Sequence, residues 1–127
     1  MDVSLSKVQL DIAKEARRFL DKECPTDYVR DMYEDERGFT DEIWAKMIEM
    51  DWMRVHIPEP YGGIGMDQMD LIMVLEEMGR AVFPGPFFST VLLAAEAIRE
   101  AGNDSQKERY LSGIAAGEIR GTLALHD

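Results

Sequence analysis

Apolar residues recur every three or four positions along nearly the whole chain, and prolines and glycines cut that pattern into short pieces. A period of this kind builds amphipathic helices, and the breakers decide where each must stop. Ser6 with Gln9 three residues on forms a capping box, after which Leu5, Val8, Ile12, Ala16, Phe19 and Leu20 fall at helical spacing until Pro25. Residues 26–38 are acidic, carry Tyr28, Val29, Met32 and Tyr33, and allow a short helix before Gly38. Thr40 is placed to cap a helix holding Ile43, Trp44, Met47 and Ile48, with Asp41 and Glu42 in its first turn.

Ile57-Pro-Glu-Pro-Tyr-Gly-Gly-Ile-Gly65 holds two prolines and three glycines, so it must be an ordered loop. Asp67 then caps a helix with Leu71, Leu75, Met78 and Val82 on one face. Pro84-Gly-Pro86 interrupts again, and a strongly apolar helix follows over Phe87–Ala101, ending at Gly102. Asn103 or Asp104 caps a last helix carrying Tyr110, Leu111 and Ile114, closed by Gly117. The stretch Arg120–Leu125 reads as the start of a strand with no partner upstream, and a lone strand is unstable. The expected fold is therefore all-α, an orthogonal or up-down bundle of five to six helices, ending in the first strand of a further β-domain.

The formal charge of −11, from 25 acids and 14 bases, would repel a nucleic-acid backbone or an anionic membrane. The apolar run from Phe83 to Ile98 is broken by Ser89, Thr90 and Glu96 and is shorter than the ~20 residues of a membrane span. Cys24 is the single cysteine, and the N-terminus lacks the pattern of a secretory signal, which together point to a reducing cytoplasmic setting.

No catalytic constellation is visible in the residues alone. Gly63-Ile-Gly65 lacks the third glycine of a dinucleotide fingerprint, since Gln68 stands there. Asp31–Glu42 has acids at the outer positions of a calcium loop, yet Tyr33 replaces a ligand and Glu36 replaces the turn glycine. His56 and His126 are the only histidines and lie far apart, so no metal site or cysteine–histidine pair is expected. Ser89, Ser105 and Ser112 lack a nucleophile elbow. The Phe87–Ala101 helix reads either as core or as a core helix with one face on a hydrophobic ligand cavity.

The order of these pieces resembles the N-terminal domain of acyl-CoA dehydrogenases. Trp52-Met-Arg-Val-His-Ile-Pro-Glu-Pro-Tyr-Gly-Gly-Ile-Gly65 is similar to the loop after that family's early helices, and Val74-Leu-Glu-Glu-Met-Gly-Arg80 to its next helix. Ala101-Gly-Asn-Asp-Ser-Gln-Lys-Glu-Arg-Tyr-Leu111, then Ala116-Gly-Glu118 and Thr122–Leu125, resemble the following helix and the entry into a β-domain. The resemblance spans essentially the whole chain, and its three motifs fall in order and spacing between Trp52 and Leu125.

The resemblance implies a helical domain over residues 1–118 and the start of a middle β-domain over 119–127. It implies FAD, an acyl-CoA substrate losing its α and β hydrogens, an electron-transferring flavoprotein as acceptor, and a homo-oligomer. The catalytic base and most FAD contacts would lie outside this segment, which alone is expected to be inactive. Phe88, Ser89, Leu92 and Leu93 would line the acyl pocket, and the Leu123–Leu125 strand with His126 would approach the flavin. Where family members carry Ala-Leu-Thr-Glu-Pro, this chain reads Ala124-Leu125-His126-Asp127. Loss of that flavin-bonding threonine opens an alternative, a non-catalytic interaction module or an accessory subunit of a heteromeric dehydrogenase.

Overall fold

In the computed structural model the described residues are 4–126, so Met1 to Val3 and Asp127, the outer ends of the two expected segments, lie outside them. Six helices follow in order. These are α1 (Lys7–Glu23), α2 (Thr26–Glu34), α3 (Asp41–Glu49), α4 (Gln68–Arg80), α5 (88–101) and α6 (104–115). Single turns at Trp52–Arg54 and Glu59–Tyr61 lie between α3 and α4. No strand forms among the described residues, and 118–126 run without regular structure. A strand needs a neighbour to pair with, and the described residues supply none. Among the described residues no helix is long and apolar enough to cross a membrane.

The caps sit where the local chemistry puts them. Ser6 and Gln9 bond reciprocally, as do Asp67 with Asp70 and Asn103 with Gln106, while Thr40 accepts from the Ile43 amide. Asp35 accepts from the amides of Arg37 and Gly38, a tight turn that ends the acidic stretch. The breaker loop is pinned by its own backbone: Ile64 N donates to Arg54 O at 2.8 Å, Met66 N to Val55 O at 2.9 Å and Gly65 N to Ile57 O at 3.0 Å. Gly63 is obligatory there, because a Cβ would fall 1.6 Å from the Ile57 carbonyl oxygen.

Helix α1 packs along α4, burying Ala16 and Leu20 against Leu71, Val74 and Met78. Across that seam Arg17 forks onto Glu77, both contacts at 3.0 Å, and Arg80 joins Glu77 to Asp21. Trp52 forms the centre of the larger core, edge-on to Phe19 of α1 at 4.7 Å and to Phe87, just before α5, at 6.4 Å. A second, smaller core joins Ile57 of the loop and Ala95 of α5 to Leu111, Ile114 and Ala115 of α6.

Candidate functional site

The first half of helix α5 is apolar on both faces, and the chain covers one of them more completely than the other. Phe87, Thr90, Val91, Ala94 and Ala95 are buried in the two cores. Phe88, Ser89, Leu92 and Leu93 share the opposite face; Phe88 is half exposed and the other three are half-buried. The structure thus brings the four expected acyl-pocket residues to one face. Leu92 also touches the larger core from its edge. Phe88 borders a shallow groove of about 360 Å³ with Leu75, Met78, Val82, Phe83 and Gly85, within the size range of small-ligand sites.

Entry into α5 is set by Pro86, whose carbonyl accepts from Ser89 Oγ at 3.1 Å and from Thr90 N at 3.0 Å. The stretch Phe88–Ala94 is then wound as a π-helix before α-helix resumes at Ala95–Ala101. Such i→i+5 turns are rare and recur at functional positions. A second π stretch, Lys107–Leu111, sits inside α6.

The segment after α6 is fastened to this helix. Trp44 Nε1 donates to the Gly117 carbonyl at 2.9 Å, and the amides of Glu118 and Ile119 both reach Gly113 O. The Arg120 guanidinium lies 5.4 Å from the Phe39 ring centre and 5.6 Å from that of Trp44. Thr90 Oγ1 meets both the amide and the carbonyl of Gly121. Beyond that point Leu123, Leu125 and His126, the expected flavin-side residues, are exposed. Among the described residues, 122–126 make no backbone hydrogen bond with the rest of the chain.

A buried polar cluster lies at the other end of α5, and the separation of the two histidines had given no sign of it. His56 Nε2 is 2.5 Å from Glu96 Oε2, and Arg99 forks onto the same carboxylate. The Arg99 guanidinium, against the cost of burial and with His56 assisting, holds Glu96 down to a pKa of about 2. Ionised Glu96 accepts the Nε2 proton, and His56 Nδ1 is buried with no hydrogen-bond partner. The readable signal was Glu96 itself, an acid stranded in an apolar run. The cluster ties the breaker loop to α5. Glu77, a more deeply buried acid than Glu96, is also held below the usual carboxylate range, chiefly by Arg17. Carboxylates anchored this way are poor proton acceptors near neutral pH. Among the described residues no group of three or more metal-ligating side chains is placed to hold an ion.

Residues 6–118 match the family described as "Acyl-CoA dehydrogenase, N-terminal domain". Acryloyl-CoA reductase (NADH) of Anaerotignum propionicum is 31% identical over 126 residues, which cover 98% of this chain and 32% of that protein. The caffeyl-CoA reductase-Etf complex subunit CarC of Acetobacterium woodii is 32% identical over 116 residues, 90% of this chain and 30% of that one. An acyl-CoA dehydrogenase of Bacillus anthracis, solved in complex with FAD, superposes with a TM-score of 0.79 at 25% identity, over 92% of this chain and 20% of that one. The chain spans about a third of the length of these curated relatives.

Proposed function

This chain belongs to the acyl-CoA dehydrogenase family as its N-terminal helical domain, and from that premise we propose that it serves a longer FAD-dependent protein that α,β-dehydrogenates acyl-CoA thioesters. The observation that carries the reading is the incompletely covered apolar face of α5, with Phe88 half exposed. Phe88, Ser89, Leu92 and Leu93 form one wall of the acyl pocket, and bulk on that wall limits the chain that fits, because a packed interior cannot hold a ring and an acyl tail in one place. Residues 1–118 are the helical domain, and 119–127 begin the middle β-domain.

The flavin supplies the hydride acceptor when bound. Toward it, this chain offers the apolar edge of Leu123 and Leu125, the unpaired backbone of 122–126 and the His126 imidazole. That donor set fits the rim of a largely apolar ring system. Glu77 and Glu96, each anchored by arginine, are unsuited to take the α proton. On this reading the base comes from the rest of the longer protein, and these 127 residues alone are inactive. An electron-transferring flavoprotein is the redox partner on this reading, as in the caffeyl-CoA reductase-Etf complex, and serves as acceptor in the dehydrogenation direction. Exposed Leu5, Val8 and Leu10 favour assembly into a homo-oligomer, and the reading places the protein in the cytoplasm.

The histidine at 126, in place of the family's threonine, favours one second reading, an accessory subunit with little flavin of its own. One experiment separates the two. The full-length product of the reading frame is purified and titrated with a panel of acyl-CoAs while its visible spectrum is followed. A flavin band that bleaches with one thioester is the expected result. A colourless protein would overturn the catalytic reading in favour of the accessory subunit, and His126→Thr would be the variant to test for regained flavin.

A further inference from the structure

Thr90 is wholly buried, yet its hydroxyl is committed to a residue 31 positions away. Oγ1 donates to the Gly121 carbonyl at 3.1 Å and accepts the Gly121 amide at 3.0 Å. One hydroxyl, with a single proton and two lone pairs, satisfies both backbone groups of one residue, as a partner strand would. The approach is tight on the same side, for a Cβ at Gly121 would lie 2.9 Å from the Cβ of Ala94. Arg120 over Phe39 and Trp44 holds the chain just upstream. Gly121 is thus the last fastened point before the loose stretch 122–126, and its fastening lies against Thr90 and Ala94 on the covered face of α5.

We propose that Thr90 is a positioning residue that, from the covered face of α5, sets the register of Leu123, Leu125 and His126 relative to that helix. It thereby fixes the spacing between acyl wall and flavin side. The inference rests on the dehydrogenase reading above. Thr90 touches neither ligand and acts through Gly121. Reactions between held groups are steep in spacing, and a shift of about 1 Å can cost on the order of a hundredfold in rate.

The test uses the full-length flavin-loaded protein as wild type, Thr90→Val, Thr90→Ser and Gly121→Ala. Valine keeps the shape and removes the hydroxyl, serine keeps the hydroxyl, and alanine at 121 displaces the segment while leaving Thr90 intact. Two readouts are taken, amide hydrogen exchange over residues 119–125 and steady-state kinetics with the thioester that bleaches the wild type. In Thr90→Val, exchange at Gly121 should rise about tenfold or more, as expected for losing two hydrogen bonds. Its kcat should fall about tenfold, with KM within about twofold, because the wall survives while the spacing drifts. Gly121→Ala should lose kcat likewise, and Thr90→Ser should recover it. Unchanged kcat in Thr90→Val, or failure of serine to recover it, would overturn the proposal and leave Thr90 a packing residue. A wild type without flavin or turnover would instead refute the dehydrogenase reading, and the exchange data would still decide whether Thr90 holds Gly121.

Discussion

Replacing Phe87 and Phe88 singly by alanine separates the two faces of α5, because the neighbours have the same side chain and opposite surroundings. Phe87 is fully buried against Trp52, so its removal opens a cavity in the larger core. Truncations of that kind cost about 3–5 kcal/mol. Phe88 is 52% exposed and borders an open groove, so only about half of a transfer term of about 1.5–3 kcal/mol is at stake and no closed cavity forms. The expected losses are therefore about 4 kcal/mol against about 1 kcal/mol. For a domain of this size that corresponds to roughly 10–20 °C against roughly 3–5 °C in melting temperature. Urea unfolding followed by far-UV circular dichroism measures both. In the full-length protein Phe88→Ala should also widen the range of acyl-CoAs accepted. Equal stability losses at the two positions would refute the assignment of faces, and an unaltered acyl range would remove Phe88 from the pocket wall.

Three further outcomes are expected. Glu96 is held at about 2, below its usual 4.5, so its stabilising effect is complete above about pH 4.5 and fades as pH falls toward 2. Glu96→Gln should be less stable than wild type at pH 7, and acid titration of the unfolding midpoint should show that gap closing across this window; a constant gap would refute the ion-pair account. Val82, a β-branched and mostly exposed residue, sits at φ +53°, where L side chains are strained by about 1–2 kcal/mol, so Val82→Gly should gain about 0.5–1 kcal/mol after glycine's entropy cost. A thermal melt lower than wild type would count against that strain. Two glycine substitutions should diverge in the same assay: Gly79→Ala meets nothing within 4 Å in α4 and should stabilise by up to about 1 kcal/mol, whereas Gly63→Ala strikes the Ile57 carbonyl and should cost more than about 3 kcal/mol.

Helix limits were legible wherever the deciding interaction is local. Ser6 with Gln9, Thr40 with Ile43 and Asn103 with Gln106 each close within three residues, and Pro25 and Gly117 stop helices through their own backbone chemistry. Contacts across the chain were not legible. His56 meets Glu96 over 40 residues, and Thr90 meets Gly121 over 31. The π stretch of α5 was hidden for a related reason. Phe87, Thr90, Val91 and Ala94 are buried at intervals that an α-helix would give as well, so the apolar spacing carries no mark of the wider turn.

The candidate site lies between these cases. Periodicity shows that α5 is apolar all round, with Phe87 beside Phe88 and Val91 beside Leu92, and a helix of that kind needs cover on every side. It does not say which face finds cover within the chain, and a family resemblance was needed to single out Phe88, Ser89, Leu92 and Leu93. The fold decides between the faces, because Trp52 takes Phe87, the second core takes Ala95, and Thr90 turns inward to hold Gly121. The face bearing those four residues is left less completely covered, with Phe88 half exposed. The segment carrying Leu123, Leu125 and His126 is fastened to the same helix from its covered side, through Thr90. On the proposed reading α5 is therefore the common reference for both, and a shift of that helix would move the acyl wall and the flavin side together.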